Sequence, residues 1–554
     1  MEIIEKQGEW DAIVVGSGAT GGVAARQLSA AGLRVLVLEA GPAVQQRSDY
    51  GGPIQNAGRQ LFRSLVSHRQ TVQRMHATYW TTNPDFFVDD IDNPYTTPAD
   101  KPFRWIRGRN LGGRTLTWDG VTPRFSDHEF KAGSRDGLSP DWPLRHADLA
   151  PFYAELEQSL GIRGARDGLE QLPDGNYASA GSMTPTEWVL KARVEKRFPQ
   201  RNVILSRGIG AGRSPRSGQT HTRLSNLTTT LAAAVQTGLV TIRTNAVVSK
   251  ILVERDGVKA TGVEVIDAAT HRTEELRARM VFLCASTIES LRILMNSTSR
   301  AHPEGIGASS GILGRYLMDH IAGNTYFHMP QVDGDDKNYE LLGSDAILIP
   351  RFQNLTDERE EYARGFGLWG GVQRFPIPRV LSKVRGEAIG FLCARAEVLP
   401  HQDNRVSLDP TVRDAWGLPA ARIVFEWKEA DLKVASAGRR AAVEMIHAAG
   451  GTIADVTDLV HTPVAGGFIR SMQKEWNPST PGLFVHEVGG ARMGESPKDS
   501  VVDSFCRTWD TRNVFVTDGA CWPSCGWQNP TLTQMAITAR ACAHAVTELK
   551  QSRL

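Results

Sequence analysis

The sequence predicts an α/β fold in which a Rossmann-like domain is interleaved with an α+β domain built on a β-sheet. Three observations lead to this expectation. A β-like run at residues 11–15 is followed by a glycine-rich turn, a helical run and a second β-like run at 35–38. A strand, a turn of small residues and a helix recur at residues 280–294. The segment from 325 to 480 has another character, because it mixes β-like stretches with one amphipathic helix.

The glycine-rich turn has the spacing of a dinucleotide-binding site. Gly16 permits the tight turn after the first strand, Gly18 lets backbone N–H groups approach a pyrophosphate, and Gly21 lets the helix pack closely on the sheet. The helix N-terminus adds partial positive charge facing the phosphates. Glu39 ends the second strand, where a carboxylate accepts both hydroxyls of an adenosine ribose and repels a 2′-phosphate. The turn therefore predicts a redox enzyme and disfavours NADP.

Composition and charge exclude several partners. The 554 residues carry 63 basic and 61 acidic side chains, so no global field would attract nucleic acid or an anionic membrane. The sequence lacks the run of about eighteen apolar residues that would predict a membrane span. Its first ten residues contain no apolar core of a signal peptide. Six cysteines are few for this length and indicate free thiols in a reducing compartment. We expect a cytoplasmic protein without a bound metal, whose oligomeric state the sequence leaves open.

The strongest chemical signal lies in the last eighty residues. His486 opens a glycine-rich stretch, and a predicted strand at 514–517 ends in Asp518. A C-terminal helix then follows, with Asn529 suited to its N-cap and Pro530 to its first turn. The start of this helix is expected to present partial positive charge to whatever lies against it.

Taken together, these motifs resemble the glucose-methanol-choline (GMC) oxidoreductases, flavoenzymes that oxidise alcohols with FAD. The resemblance covers nearly the whole chain and rests on residues 16–39, 112–113, 314–320 and 403–408 and on the His486 and Asn529 stretches. It implies that His486 is the catalytic base over the flavin and that Asn529 is its partner. A neutral imidazole, with a pKa of about 6.5, accepts the hydroxyl proton, Asn529 hydrogen-bonds the alcohol oxygen, and the hydride passes to flavin N5. The alternative, a buried structural histidine and a mere helix cap, stays open.

The resemblance also assigns cofactor contacts and domains. It implies that Gly16, Gly18 and Gly21 face the pyrophosphate and Glu39 the adenosine ribose. It also implies ribityl and flavin contacts at Asn110, Gly112 and Gly113, an adenine contact at Val248, and pyrophosphate or flavin-ring contacts at Asp518, Gly519 and Thr531. His320 is expected to be structural. The FAD-binding domain would comprise residues 1–130, 205–325 and 480–554, and the substrate-binding domain residues 131–204 and 326–479.

Three further segments favour the branch of pyranose oxidases and bacterial glycoside 3-oxidases or 3-dehydrogenases. These segments are residues 113–118, 122–125 and 134–143, and Asn529 favours the same branch. The likeness implies oxidation of a secondary hydroxyl, at C2 or C3 of a pyranose sugar or glycoside, to a ketone, with O2 or another compound as electron acceptor. Covalently flavinylated members of this branch carry a histidine where this chain has Thr117. Because a hydroxyl cannot replace imidazole in that bond, we expect non-covalent FAD.

Other functions stay open at the level of sequence. A GMC enzyme for choline-like, sterol or aryl alcohols would share the motifs above. An NAD-dependent dehydrogenase or a flavin disulfide reductase would share the opening fold, although the second needs a cysteine pair near Gly41 that the sequence lacks. A non-enzymatic module would hold a flavin that no alcohol reduces. The sequence does not distinguish an oxidase from a dehydrogenase.

Overall fold

The computed structural model describes residues 10–43, 68–75, 80, 84–209, 225–333, 343–356, 360–374, 381–461, 470 and 473–554. Residues of the predicted domains outside these ranges, including 1–9, 44–67 and 210–224, lie outside the described part of the chain. The strands are β1 (Trp10–Val15), β2 (Val35–Leu38), β3 (Tyr95–Thr96), β4 (Ile162–Arg163), β5 (Ile204–Leu205), β6 (Gly208–Ile209), β7 (Val240–Arg243), β8 (Ala246–Val253), β9 (Ala260–Asp267), β10 (Thr273–Leu283), β11 (Ile321–Pro330), β12 (Ile347–Ile349), β13 (Phe366–Val372), β14 (Glu387–Ala396), β15 (Arg405–Arg413), β16 (Pro419–Val424), β17 (Thr452–Ile453) and β18 (Val514–Val516). The α-helices are α1 (Ala19–Ala30), α2 (Asp127–Phe130), α3 (Ala132–Asp136), α4 (His146–Leu160), α5 (Pro185–Arg197), α6 (Thr230–Gln236), α7 (Thr287–Asn296), α8 (Glu429–Ala448), α9 (Val456–Leu459) and α10 (Thr531–Lys550).

The first sheet has seven strands and a parallel centre. The order β7-β2-β1-β10 is parallel throughout, β18 runs parallel to β10, and the β8–β9 hairpin pairs antiparallel with the first half of β10. Residues of β2 and the end of β1 are buried, as expected for apolar strands covered on both faces. Helix α1 packs against α6 and α10. The predicted strand–turn–helix–strand unit and its later repeat are therefore confirmed.

The second sheet is antiparallel, with the order β17-β11-β14-β13-β12-β5. Helix α8 packs on β11, β13 and β14 and contacts α5. Helix α5 begins with a capping box, since the Thr184 hydroxyl accepts from the Glu187 amide at 3.1 Å and the Glu187 carboxylate accepts from the Thr184 amide at 2.8 Å. The same buried carboxylate pairs with Arg374, just after β13, with an Nη2 to Oε2 distance of 2.6 Å, and thereby ties α5 to the sheet.

The segment before α10 connects the two sheets. Trp527 is fully buried against Gly367 of β13, where a Cβ atom would lie 2.1 Å from the indole ring. Helix α10 begins at Thr531 and has Pro530 at its N-cap position. The expectation that Asn529 caps this helix is wrong, because its amide oxygen instead accepts a hydrogen bond from Arg395 of β14. A buried cation from the second sheet thus takes the oxygen that a local cap would use.

All six cysteines are buried and none forms a disulfide. Within the described ranges, no helix combines the length and the apolar composition that crossing a membrane requires.

Candidate active site

The turn between β1 and α1 uses its glycines for two different purposes. Gly16 has a φ of +96°, and a Cβ atom there would lie 2.4 Å from the Cys284 carbonyl oxygen. A Cβ atom on Gly21 would lie 2.0 Å from the Gly16 oxygen. Gly18 differs, because its φ is −70° and a Cβ atom there would have no neighbour within 4 Å among the described residues, apart from those adjacent in the chain. Folding therefore requires Gly16 and Gly21, whereas open space beside Gly18 fits the close approach of a ligand.

Glu39 lies at the end of β2, directly beside this turn. Its buried carboxylate accepts hydrogen bonds from the Ser17 amide at 3.1 Å, the Ser17 hydroxyl at 2.6 Å and the Gly41 amide at 3.0 Å. Burial raises the pKa of Glu39 above its usual value, although these hydrogen bonds act to lower it. The Ala246 amide at the start of β8 donates to the Glu39 carbonyl at 2.9 Å, so the buried Val248 lies on the strand adjoining Glu39.

A second glycine pair meets the first turn. Gly112 and Gly113 both have positive φ, +94° and +54°, and the Gly112 amide donates to the Ser17 hydroxyl at 3.0 Å. A Cβ atom on Gly113 would lie 3.1 Å from the Gly18 Cα atom. Asn110 is fully buried, and its Oδ1 atom has no hydrogen-bond partner among the described residues. Such an orphaned acceptor fits a donor on a bound molecule.

Arg114 joins this glycine pair to the stretch that contains His486. Its Nη1 atom donates to the Val485 carbonyl at 2.9 Å, and its Nη2 atom lies 3.0 Å from the Glu487 carboxylate. The Arg114 side chain therefore holds Val485 and Glu487, the two residues that flank His486.

The stretch around His486 runs antiparallel to residues 316–320. Met318 and Val488 exchange backbone hydrogen bonds of 2.8 and 2.9 Å. The buried Asp319 carboxylate accepts from the backbone amides of His320 at 2.8 Å and His486 at 3.1 Å. Burial and the neighbouring Glu487 carboxylate raise the pKa of Asp319, although the hydrogen bonds from these amides act to lower it. This pairing places the ring of His320 against the ring of His486.

His320 contacts the proposed base directly. Its Nδ1 atom lies 2.8 Å from the His486 Nδ1 atom, and its Nε2 atom hydrogen-bonds the Gly526 carbonyl. The rings are nearly perpendicular, with centroids 5.0 Å apart. Burial, reinforced by the charge of Arg395, lowers the pKa of His320 to about 3, so the imidazole is neutral. The expectation that His320 is structural missed this contact, although it lies in the segment 314–320 that carries the family resemblance.

Asn529 also has a buried partner behind it. The Arg395 Nη1 atom donates to the Asn529 Oδ1 atom, while Arg395 is only 2% exposed. His486 and Asn529 themselves are half-buried. Gly526, the carbonyl partner of His320, lies three residues before Asn529 in the chain, so His320 links the ring of His486 to the segment that carries Asn529.

The turn after β18 completes the site. The Gly489 amide donates to the Gly519 carbonyl at 2.7 Å, which ties this turn to the His486 stretch. The Asp518 carboxylate accepts from the Ser290 hydroxyl at 2.5 Å, and burial raises the pKa of Asp518 to about 6. Thr531, half-buried, is the first residue of α10. Among the described residues, no group of His, Cys, Asp and Glu has the arrangement of a metal site.

The neutral state of His320 predicts acid sensitivity. An unfolded histidine takes up a proton near pH 6.5, whereas the folded ring resists protonation until about pH 3. The stability that this difference contributes is fully present above pH 6.5 and is lost as the pH falls towards 3. We expect the urea midpoint of the FAD-loaded protein to fall between pH 6.5 and 4.5, and to fall less steeply in His320→Gln. Equal pH slopes in both proteins would contradict the assignment.

Comparison with protein families gives two matches. A model described as GMC oxidoreductase, in its N-terminal form, matches residues 10–322, and the C-terminal form matches residues 400–538. Among curated proteins, 2-methyl-1,2-propanediol dehydrogenase of Mycolicibacterium austroafricanum is 28% identical over 96% of this chain and 94% of its own length. C-glycoside 3-oxidase of Arthrobacter globiformis is 27% identical but aligns over only 56% of this chain and 54% of its own length.

A solved structure shares the fold. Formate oxidase of Aspergillus oryzae RIB40, a protein in which the effect of a mutation on FAD modification was studied, superposes with a TM-score of 0.63 at 14% identity, covering 100% of both chains. The predicted α/β fold class, with two interleaved parts, is thereby confirmed.

Proposed function

Because the chain belongs to the GMC oxidoreductase family, we propose that it oxidises a secondary hydroxyl, at C2 or C3 of a pyranose sugar or glycoside, to a ketone with FAD as cofactor. Membership makes it an oxidoreductase that acts on alcohol or sugar CH–OH groups, as the sequence predicted. The observation that carries the proposal is the contact of the His320 ring both with His486 and with the carbonyl of Gly526, three residues before Asn529.

The residues around the glycine turns fit FAD. The open space at Gly18, the first N–H groups of α1 and the carboxylate of Glu39 match a pyrophosphate and an adenosine ribose. The orphaned Asn110 oxygen matches a donor on the ribityl or ring portion. We assign further contacts to Gly112, Gly113, Val248, Asp518, Gly519 and Thr531. The cofactor-binding part would comprise residues 1–130, 205–325 and 480–554, with 131–204 and 326–479 binding substrate.

The catalytic pair divides the work on the alcohol. FAD, when bound, supplies the hydride acceptor. His486 accepts the hydroxyl proton, and Asn529 holds the alcohol oxygen by a hydrogen bond from its amide, so the carbinol carbon is oriented while the proton leaves. The buried groups behind the pair keep both side chains in place. The likeness of residues 122–125 and 134–143 to pyranose and glycoside oxidases, together with the partial match to a C-glycoside 3-oxidase, supports a sugar substrate.

An anaerobic titration tests this proposal. The FAD-loaded protein is mixed with a panel of sugars and glycosides, and bleaching of the flavin absorbance is followed. Derivatives that lack the hydroxyl at C2 or at C3 identify the oxidised position. Peroxide formation in air, compared with dye reduction under nitrogen, separates O2 from another acceptor. Bleaching by choline, sterols or aryl alcohols, with none by any sugar, would overturn the sugar assignment.

A small diol is the second candidate substrate. The relative that matches 96% of this chain is named for 2-methyl-1,2-propanediol, whereas the glycoside oxidase matches 56%. The same pair of His486 and Asn529 would serve either alcohol. Including 1,2-diols in the panel compares the two candidates directly, since the better substrate bleaches the flavin with the higher kcat/KM.

We propose that FAD is bound without a covalent link. Thr117 occupies the position of the flavin-linked histidine, and its hydroxyl lies 3.4 Å from the Arg114 carbonyl. We expect acid precipitation of the holoenzyme to release the yellow colour into the supernatant. A yellow pellet, or flavin fluorescence in the protein band of a denaturing gel, would contradict this expectation.

A further inference from the structure

We propose that His320 and Arg395, buried behind the catalytic pair, decide which atoms of that pair face the substrate: a proton-accepting Nε2 on His486 and a proton-donating amide group on Asn529. This inference rests on the proposed function, because it assigns positioning residues to the same reaction. It concerns hydrogen-bond direction, which the positions of His486 and Asn529 do not fix by themselves.

The direction at His486 follows from a chain of three groups. A carbonyl oxygen only accepts, so the His320 Nε2 atom that contacts the Gly526 carbonyl must carry a proton. A neutral imidazole carries one N–H group, which leaves the His320 Nδ1 atom as an acceptor. The His486 Nδ1 atom, 2.8 Å away, must then be the donor. Neutral His486 therefore has its lone pair on Nε2.

This arrangement holds both before and after proton transfer. When the Nε2 atom of His486 takes the hydroxyl proton, its Nδ1–H group keeps its hydrogen bond to His320, and no second proton has to move. The other ionisable groups here are the Asp319 carboxyl group, on the backbone amides of both histidines, the Glu487 carboxylate, paired with Arg114, and Arg395. None of these groups hydrogen-bonds the ring of His320, so the Gly526 carbonyl sets its tautomer.

The direction at Asn529 follows from the guanidinium group. Arg395 only donates, so it must face the Oδ1 atom of Asn529, and the amide NH2 group is left for the alcohol oxygen. Burial lowers the pKa of Arg395 to about 10, which still leaves it charged at neutral pH.

Arg395 differs from other buried arginines of the chain. Several of them pair with carboxylates, namely Arg124 with Glu157, Arg351 with Glu397 and Arg374 with Glu187. Arg395 forms no close ion pair with a carboxylate among the described residues, although the more distant charge of Asp119 acts to raise its pKa, and its Nε and Nη2 atoms have no hydrogen-bond partner there. An arginine kept only for stability would be expected to have a counter-charge. We infer that this cation is retained for its hold on Asn529.

Solid-state 15N NMR of histidine-labelled holoenzyme reads the tautomer without any substrate. The His486 signals are identified as those lost in His486→Gln. We expect the unprotonated, far-downfield nitrogen to be Nε2 in the wild type, and a mixture of tautomers in His320→Leu. An unprotonated Nδ1 atom in the wild type would overturn the proposal. This readout is independent of which alcohol is oxidised, so a failed sugar assignment does not affect it.

Paired variants test the consequence for the reaction. We expect His320→Leu and Arg395→Met to slow anaerobic flavin reduction by at least about tenfold, mainly through kcat, with unchanged FAD content. Gln in His320→Gln both donates and accepts, and Lys in Arg395→Lys still donates, so both should stay within about threefold of the wild type. Equal losses in the apolar and the conservative variants would show a merely structural role and overturn the proposal.

A variant of Asn529 gives a third check. Asn529→Asp keeps an oxygen for Arg395 but removes the amide donor. We expect it to reduce flavin at least about tenfold more slowly than the wild type while FAD content and urea midpoint are retained. Activity equal to the wild type would show that the oxygen, not the amide, faces the alcohol.

Discussion

Replacing His486 with glutamine is expected to slow flavin reduction by the best alcohol substrate about 10²- to 10⁴-fold, the range that a general base contributes. Glutamine is neutral and cannot accept the hydroxyl proton near neutral pH. Stopped-flow absorbance under nitrogen measures this rate directly, free of the reoxidation step. FAD content should not change, because the contacts that fit FAD lie in the glycine turns around Gly18 and Gly113.

His447→Gln is the matched control for this prediction. His447 is exposed in the last turn of α8, and the same change of side chain is made there. The control should reduce its flavin at the wild-type rate. If His486→Gln also reduced its flavin at the wild-type rate, the imidazole would not be the base, and this histidine would have only a structural role.

The opening unit was predictable because its determinants are local. Gly16, Gly18, Gly21 and Glu39 act within one strand–turn–helix–strand segment, and their spacing in the chain fixes their spacing in space. The repeat at β10 and α7 follows the same logic. Strand β18 adds in parallel to β10 although more than two hundred residues separate them, so the sequence predicted the strand at 514–517 but not its neighbour in the sheet.

The partners of the catalytic pair could not be read from the sequence in the same way. His320 is 166 residues from His486, and Arg395 is 134 residues from Asn529. One signal did exist, since Arg395 is the one charged residue in the buried stretch of β14 that follows Glu387. The wrong cap assignment of Asn529 has the same origin, because a local preference for capping gave way to a buried cation supplied by another sheet.

Replacing Gly18 with valine is expected to abolish most FAD binding while leaving the fold intact. The φ of Gly18 suits any residue, and beyond its chain neighbours no atom of the described part of the chain lies within 4 Å of the added Cβ, so the apoprotein is expected to tolerate the side chain. FAD would have to approach the space that the side chain fills. A misfit of about 1–3 kcal/mol corresponds to roughly a fivefold to 150-fold loss of affinity. Calorimetric titration of the apoprotein with FAD measures this loss.

Ala30→Val places a valine at the exposed last residue of α1 and should bind FAD as the wild type does. Gly21→Val provides the opposite comparison. Its Cβ atom would lie 2.0 Å from the Gly16 carbonyl oxygen, so this variant should lose stability as well as FAD. Wild-type affinity in Gly18→Val would mean that the pyrophosphate does not pass this turn. Loss of FAD binding in Gly18→Val with an unchanged melting temperature of the apoprotein would show that Gly18 serves the ligand, whereas Gly21 serves the fold.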